Sequence, residues 1–171
     1  MPHERQHLIR SLFDEYIDMY SSRDERLLSR FSDNFSGYAG SSDILVTNKE
    51  EWMRITKQDF AQVPGKICIE MLDLSLQDLS DDIVAVTAFF HIHLPIPESI
   101  LSQETARLTL IFRHEGVDWK IAYSGISIPY GLAHDNEIYP MTRLEERNLE
   151  LERIIATRTA ELAEINKNLE I

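Results

Sequence analysis

The sequence contains a single cysteine, Cys68, so no disulfide can form within the chain. A lone thiol is typical of proteins kept in a reducing compartment, and we therefore expect a cytoplasmic location. Cys68 lies in the apolar run KICIEML, which predicts that it is a core residue. No apolar run approaches the roughly 20 residues that span a bilayer, and none near the N-terminus resembles a signal peptide. We expect no membrane partner.

Positive charge is also scarce. The chain has 17 Lys and Arg residues against 29 Asp and Glu residues, which gives a formal net charge of −12. Because no cluster of cations is available to neutralise phosphates, a nucleic-acid partner is not expected. The 171 residues, 43% of them hydrophobic, suit one globular domain with an appendage.

The first 65 residues carry helical patterns. From Ile9, apolar residues recur at i+3, i+4, i+7, i+8 and i+11, which predicts an amphipathic helix. The Ser22–Glu25 spacing resembles a capping box and predicts a second, short helix through Phe31. The same spacing, Thr47 to Glu50, predicts a third helix that ends at Pro64-Gly65.

After Pro64 the pattern changes to runs rich in β-branched and aromatic residues, which predict strands. The runs cover residues 67–76, 83–94, 105–114 and 119–128, with one further short strand considered near 35–38. Helices followed by an antiparallel meander indicate the α+β class, with the N-terminal helices covering one face of a curved sheet.

This order of elements resembles the SnoaL-like branch of the nuclear-transport-factor-like cone folds, which also include ketosteroid isomerase. The resemblance spans about residues 5 to 130 and depends most on the closing pattern, in which Gly116, Trp119 and Ile121 lead to Ser127 and Pro129. Many such strands carry a histidine two residues before the serine, where this chain has Gly125. The resemblance implies a cone-shaped pocket between the sheet and the first helices, used in some relatives for catalysis and in others for binding.

Acidic residues are missing from the strands that would line such a pocket. None occurs in 83–94, between Glu104 and Glu115, or between Asp118 and the end of the last strand. A general base would have to come from a helix, where Asp14, Asp18 and Asp59 are expected to be solvated or locally hydrogen-bonded. The sequence therefore predicts no catalytic residue and no enzyme activity for this chain.

Seven residues are predicted to contact a small molecule, as aromatic rings or as polar groups on one face of a strand: Tyr16, Tyr20, Trp52, His91, His93, Arg107 and Tyr123. His91 and His93 could supply two ligands to a metal, but no third ligand is evident, so neither a metal nor a cofactor is predicted. An exposed or dimer-facing polar sheet surface is the alternative for these two histidines.

The C-terminal segment follows a heptad repeat, with six of its eight a and d positions aliphatic. This spacing predicts a coiled-coil seam about 39 Å long, and hence a homodimer. An asparagine at an a position favours a parallel pair, whereas an arginine at d weakens the seam. The predicted seam residues are Leu144, Asn148, Leu151, Ile155, Arg158, Leu162, Ile165 and Leu169.

The run LEERNLELERIIATRTAELAEINKNLE also resembles the signalling helices of bacterial sensor proteins. These helices join an input domain to a GGDEF diguanylate cyclase or a histidine kinase. The resemblance implies a sensor domain (1–130), a linker (131–142) and a signalling helix (143–171), with the output domain beyond this chain. A SnoaL-like isomerase or cyclase and a dimerisation scaffold are the alternatives.

Overall fold

The computed structural model describes residues 2–40, 43–96, 102–128, 138 and 141–169. The chain divides into two compact units, Met1–Ile128 and Pro129–Ile171, which are described separately. Most of the predicted linker, including Gly131 and Pro140, lies outside the described residues. The predicted domain boundaries therefore stay predictions.

The described part of the first unit contains three helical elements, and a strand, Phe31–Tyr38, separates the second from the third. Helix α1 spans His3–Ser21 and buries Ile9, Phe13 and Tyr16 at the predicted helical spacing. A 3-10 helix spans Glu25–Arg30, and helix α2 spans Lys49–Gln62.

Both predicted capping boxes are wrong. The side chain of Asp24 caps the 3-10 helix by accepting from the Arg26 amide, because Arg23 turns the chain with a positive φ of 58°. The side chain of Asn48, not Thr47, caps α2 by accepting from the Glu51 amide at 2.8 Å.

The described residues contain five strands: β1 Phe31–Tyr38, β2 Cys68–Ser80, β3 Ile83–His93, β4 Ala106–Glu115 and β5 Asp118–Ser127. They form one sheet in the order β1-β5-β4-β3-β2, so the predicted α+β class and the meander of β2 to β5 are confirmed. Strand β1 pairs in parallel with β5 and is longer than the short strand considered from the sequence. Bulges in the β2–β3 and β4–β5 pairs add local twist to the sheet.

The two faces of the sheet differ in chemistry. Alternate residues of β3 are buried in the core, namely Val84, Val86, Ala88, Phe90 and Ile92. They share this core with the apolar residues of α1 and α2, so this face is the helix side of the sheet. The other face, here called the outer face, carries residues 83, 85, 87, 89, 91 and 93 of β3.

The prediction that Cys68 is a core residue is wrong. Cys68 is exposed, whereas its neighbour Ile67 is 2% exposed and belongs to the core. The apolar run KICIEML does not reveal which of its alternate residues face inward, because a strand places successive side chains on opposite faces.

The second unit contains helix α3, Met141–Leu169. A helix over the heptad segment is thus confirmed, whereas its pairing into a coiled coil stays a prediction. None of the helices among the described residues combines the length and apolar composition needed to cross a membrane.

Candidate functional site

A group of polar side chains lies on the helix side of the sheet, between α1 and α2. The Tyr20 hydroxyl donates to Oδ2 of Asp59 at 2.8 Å, and a guanidinium nitrogen of Arg23 lies 3.5 Å from Oδ1. Tyr16 stacks on Tyr20 with ring centroids 6.4 Å apart, and the Ser124 side chain of β5 is a hydrogen-bond partner of its hydroxyl. These five residues are called the interior cluster.

Arg23 is held rigidly beside the carboxylate. Its Nε donates to the carbonyl oxygen of Val63 at 3.0 Å, and its guanidinium carbon lies 4.9 Å from the Tyr20 ring centroid and 5.1 Å from that of Phe60. Only 6% of the Arg23 side chain is exposed, compared with 39% for Asp59. A buried cation needs a partner, so Arg23 holds the Asp59 carboxylate in place while solvent still reaches it.

The two tyrosines of the interior cluster keep their protons at neutral pH. Burial raises the pKa of the Tyr16 hydroxyl above its ordinary value, and the Asp59 charge raises it further, although the hydrogen bond with Ser124 lowers it. Burial and the Asp59 charge likewise raise the pKa of Tyr20. The Tyr16 hydroxyl is therefore a neutral hydrogen-bond donor for a bound molecule, whereas the single O–H of Tyr20 is already donated to Asp59.

Trp52 supplies a further donor on the helix side. Its ring is buried against Phe35 and Phe31, with centroids 4.8 and 6.1 Å away. Among the described residues, the buried Trp52 Nε1 has no hydrogen-bond partner. Because most buried polar groups are paired, this N–H is a donor that a bound molecule could satisfy.

The other predicted ligand-binding residues lie on the outer face. Arg107 is exposed, pairs across β4 and β5 with Ser127, and donates from Nε to the Ser127 hydroxyl at 3.1 Å. The ring of Tyr123 contacts that of Tyr38 edge-on, with the ring centroids 6.3 Å apart. The seven predicted residues therefore divide between the two sides of the sheet and do not line one pocket, because neighbours in a strand, such as Tyr123 and Ser124, point in opposite directions.

His91 and His93 also lie on the outer face, where Glu70 of β2 joins them. Oε2 of Glu70 is 2.8 Å from Nε2 of His93 and 3.4 Å from Nδ1 of His91. His93, and then His91, lowers the pKa of the Glu70 carboxyl. A third side chain that could bind a metal accompanies the two histidines, although none was evident from the sequence, because the strand register places Glu70 opposite His91.

Gly125 occupies the place where many related strands carry a histidine. A Cβ built on Gly125 would lie 2.8 Å from the Tyr123 hydroxyl oxygen and 2.8 Å from Cζ of Tyr38. The two tyrosine rings therefore take the space that an imidazole would need. Any role of that histidine in relatives has no counterpart at this position.

A surface hollow of about 380 Å³ lies beside α1 and the 3-10 helix. It contains none of the seven residues predicted to bind a ligand. Its lining is mostly charged: Glu15, Asp18, Met19, Arg26, Ser29 and Arg30.

Residues 9–131 match the family model described as the SnoaL-like domain. The chain belongs to the SnoaL-like domain family. This match confirms the resemblance based on the closing pattern and the order of elements. None of the curated proteins compared with the chain matches it.

Solved structures with the same fold come from several bacteria. A domain of unknown function with a cystatin-like fold from Nostoc punctiforme has a TM-score of 0.65 at 13% identity, covering 96% of this chain and 99% of its own. A candidate dehydratase of the NTF2-like family from Streptomyces avermitilis has a TM-score of 0.63 at 15% identity, covering 75% of this chain and 98% of its own. A candidate ketosteroid isomerase from Shewanella frigidimarina has a TM-score of 0.56 at 16% identity, covering 68% of this chain and 92% of its own.

The prediction that this chain is not an enzyme is contradicted by these neighbours. At such low identity they establish the fold alone, but two proteins with that fold carry the names of candidate enzymes. The fold is therefore compatible with catalysis. The sequence argument found no acid in the strands and expected the helical carboxylates to be solvated or locally hydrogen-bonded, whereas Asp59 on α2 accepts a hydrogen bond from the Tyr20 hydroxyl in the interior cluster.

Proposed function

We propose that this chain is a dimeric input module of a signalling protein. Its SnoaL-like domain binds a small molecule, and α3 pairs with a second copy of itself in a parallel coiled coil. The pair carries the change to an output domain, for which a diguanylate cyclase is favoured and a histidine kinase comes next.

The observation that carries this proposal is the exposure of α3. Every side chain described in this 29-residue helix is exposed. The aliphatic residues of the proposed seam are between 44 and 77% exposed: Leu144, Leu151, Ile155, Leu162, Ile165 and Leu169. A stripe of this length at a 3.5-residue spacing suits burial against a second copy of the same helix.

Polar residues of the seam favour a two-stranded pair that can change its arrangement. Asn148 at an a position pairs with its own copy across a parallel dimer axis. Arg158, at a d position, forms an ion pair with Glu161 at 3.2 Å and leaves the seam weaker at its middle. A weak layer lowers the free-energy difference between two arrangements of the helices, which a relay requires.

The interior cluster and Trp52 support the binding of a small molecule by the SnoaL-like domain. They offer the neutral Tyr16 hydroxyl, a fixed carboxylate and an unpaired indole N–H. A few polar groups among aromatic rings are typical of small-molecule sites. Trp52→Phe removes the indole N–H but keeps an aromatic ring, so it tests this donor directly.

A chimaera tests the relay. The chain is joined in heptad phase to a diguanylate cyclase domain, and cyclic di-GMP production is measured with and without pooled bacterial metabolites. We expect a several-fold change in production, which Trp52→Phe abolishes. The response should survive insertion of seven residues after Leu169 and be lost on insertion of four, because four residues shift the seam out of phase.

The two insertions are matched controls, since both lengthen the same helix. Equal responses with seven and four residues would contradict a relay through a packed seam. If no metabolite pool changed the cyclic di-GMP production of the chimaera, the result would contradict the input function.

A second candidate function is acid–base catalysis in the interior cluster. Isomerisation of a ketosteroid needs a carboxylate that moves a proton and donors that stabilise the developing oxyanion. Asp59 fits the first role and the neutral Tyr16 hydroxyl fits the second, whereas the Tyr20 hydroxyl already donates to Asp59. With a ketosteroid as the probe, we expect Asp59→Asn to lower kcat by roughly 100-fold or more, because general-base catalysis contributes about 10² to 10⁴.

Asp14→Asn is the matched control, because Asp14 is an exposed helical carboxylate whose partner is Arg10 at 3.3 Å. Its turnover should equal that of the unmodified chain. Equal kcat values for the Asp59 and Asp14 variants, or no turnover by the unmodified chain, would rule out this second function for the probe.

A further inference from the structure

The outer face of the sheet holds three metal-ligating side chains that converge from two neighbouring strands. Glu70 lies opposite His91 in the antiparallel β2–β3 pair, and His93 follows His91 by two residues, so all three share a face. Their ligand atoms lie within 4.8 Å of one another. Nothing in the interior cluster contributes to this group, which lies on the opposite side of the sheet.

Both imidazoles lie close to the same carboxylate oxygen of Glu70. Oε2 of Glu70 is 2.8 Å from a nitrogen of His93 and 3.4 Å from a nitrogen of His91, and the two rings are nearly perpendicular at 86°. Ligand atoms that bind one zinc ion at about 2.0–2.1 Å lie roughly 3.3 Å apart in a tetrahedral site. Two of the three separations, 2.8 and 3.4 Å, lie near this value and the third is at most 4.8 Å, so small side-chain shifts would bring all three atoms to one metal ion.

The donor set and the exposure indicate the class of metal. Two imidazoles and one carboxylate form a ligand set used by zinc and other divalent transition metals, whereas calcium and magnesium favour oxygen ligands alone. The three side chains are 26, 39 and 54% exposed for His91, His93 and Glu70. Solvent can thus reach a fourth coordination position.

We propose that Glu70, His91 and His93 bind one divalent transition-metal ion, such as zinc, in a three-ligand site that is open to solvent on the outer face. A water molecule completes the coordination, as in zinc sites that keep one exchangeable position. An ion pair between the carboxylate and the histidines, without affinity for a metal, is the competing interpretation. The two differ in metal stoichiometry and in the effect of each substitution.

Titration calorimetry of the tag-free full chain with zinc chloride tests the site. The background variant Cys68→Ser is used throughout, because Cys68 pairs with His93 in the strand register and its exposed thiol could bind zinc by itself. We expect one zinc per chain at micromolar concentrations. His91→Ala, His93→Ala and Glu70→Gln should each weaken binding at least ten-fold, and the last keeps the shape of the side chain.

His114→Ala is the matched control, because His114 lies 3.4 Å from a single carboxylate, that of Asp82, and should leave zinc binding unchanged. Cobalt(II) gives a second readout, since a four-coordinate site produces strong visible absorption bands that the three substitutions should remove. Zinc binding that survives all three substitutions, or its absence up to millimolar zinc in a chain that circular dichroism shows to be folded, would overturn the proposal.

Discussion

Ile155→Asp is expected to convert a dimer into a monomer. Ile155 occupies an a position at the centre of the proposed seam and is 64% exposed in the single chain. In a parallel pair, two aspartates would replace two buried isoleucines and face each other across the axis. The loss of two apolar contacts and the like-charge repulsion should cost about 4 kcal/mol or more, a change of at least roughly 1000-fold in the dimer dissociation constant.

Sedimentation equilibrium measures this change directly. The chain has a mass of 19.9 kDa, so the unmodified protein should sediment with about twice that mass at micromolar concentration and the variant with the single-chain mass. Ala160→Asp adds the same charge at an f position, on the side of the helix away from the seam, and should remain dimeric. A dimer that tolerates Ile155→Asp, or an unmodified chain that is monomeric at 100 μM, would contradict the parallel coiled coil.

Periodicity predicted the fold where one face of an element is buried. In β3 the strand pattern predicted that His91 and His93 share one face, which matches the burial of Phe90 and Ile92 on the other. In α1 the helical stripe matches the buried residues Ile9, Phe13 and Tyr16. A period of two or 3.6 residues involves only residues that are close together in the chain, so it can be detected in a single sequence.

The full extent of β1 was not predictable in the same way. Its run, FSDNFSGY, contains turn-forming residues and a glycine, which lower its local preference for a strand. Its position depends on parallel pairing with β5, which is far away in the sequence. Long-range pairing supplies hydrogen bonds that no local pattern reveals.

The residue contacts that form the candidate sites could not be predicted from the sequence for a related reason. Glu70 meets His91 only through the β2–β3 register, and Asp59 meets Tyr20 only because α2 packs beside α1. An expected hairpin joining 67–76 to 83–94 could have suggested cross-strand partners for the two histidines. A bulge in that pair shifts the register, so the partner could not be chosen by counting residues from the turn.

The second large effect is expected for Gly37→Ala, next to the last residue of β1. Gly37 pairs with Ser124 of β5 on one side and exchanges two backbone hydrogen bonds of 2.9 Å with Val46 on the other. A Cβ on Gly37 would lie 2.2 Å from the Ser124 carbonyl oxygen, far inside contact distance. Because that oxygen belongs to the backbone, the strain cannot be relieved by a side-chain rotation. We expect the free energy of unfolding to fall by about 2–3 kcal/mol.

Thermal unfolding followed by circular dichroism should show a Tm lower by roughly 5–10 °C, given a shift of about 2–4 °C per kcal/mol for a chain of this size. Gly40→Ala is the matched control in the same segment, since its Cβ would meet Ile126 O at 3.4 Å, an ordinary contact, and its Tm should stay within about 2 °C. A Tm for Gly37→Ala equal to that of the control would show that β1 and β5 separate at this point without cost. The close approach of β1 and β5 also positions Ser124 beside Tyr16. If this approach holds the interior cluster in place, Gly37→Ala should change the near-ultraviolet dichroism of the tyrosines as well as lower the Tm.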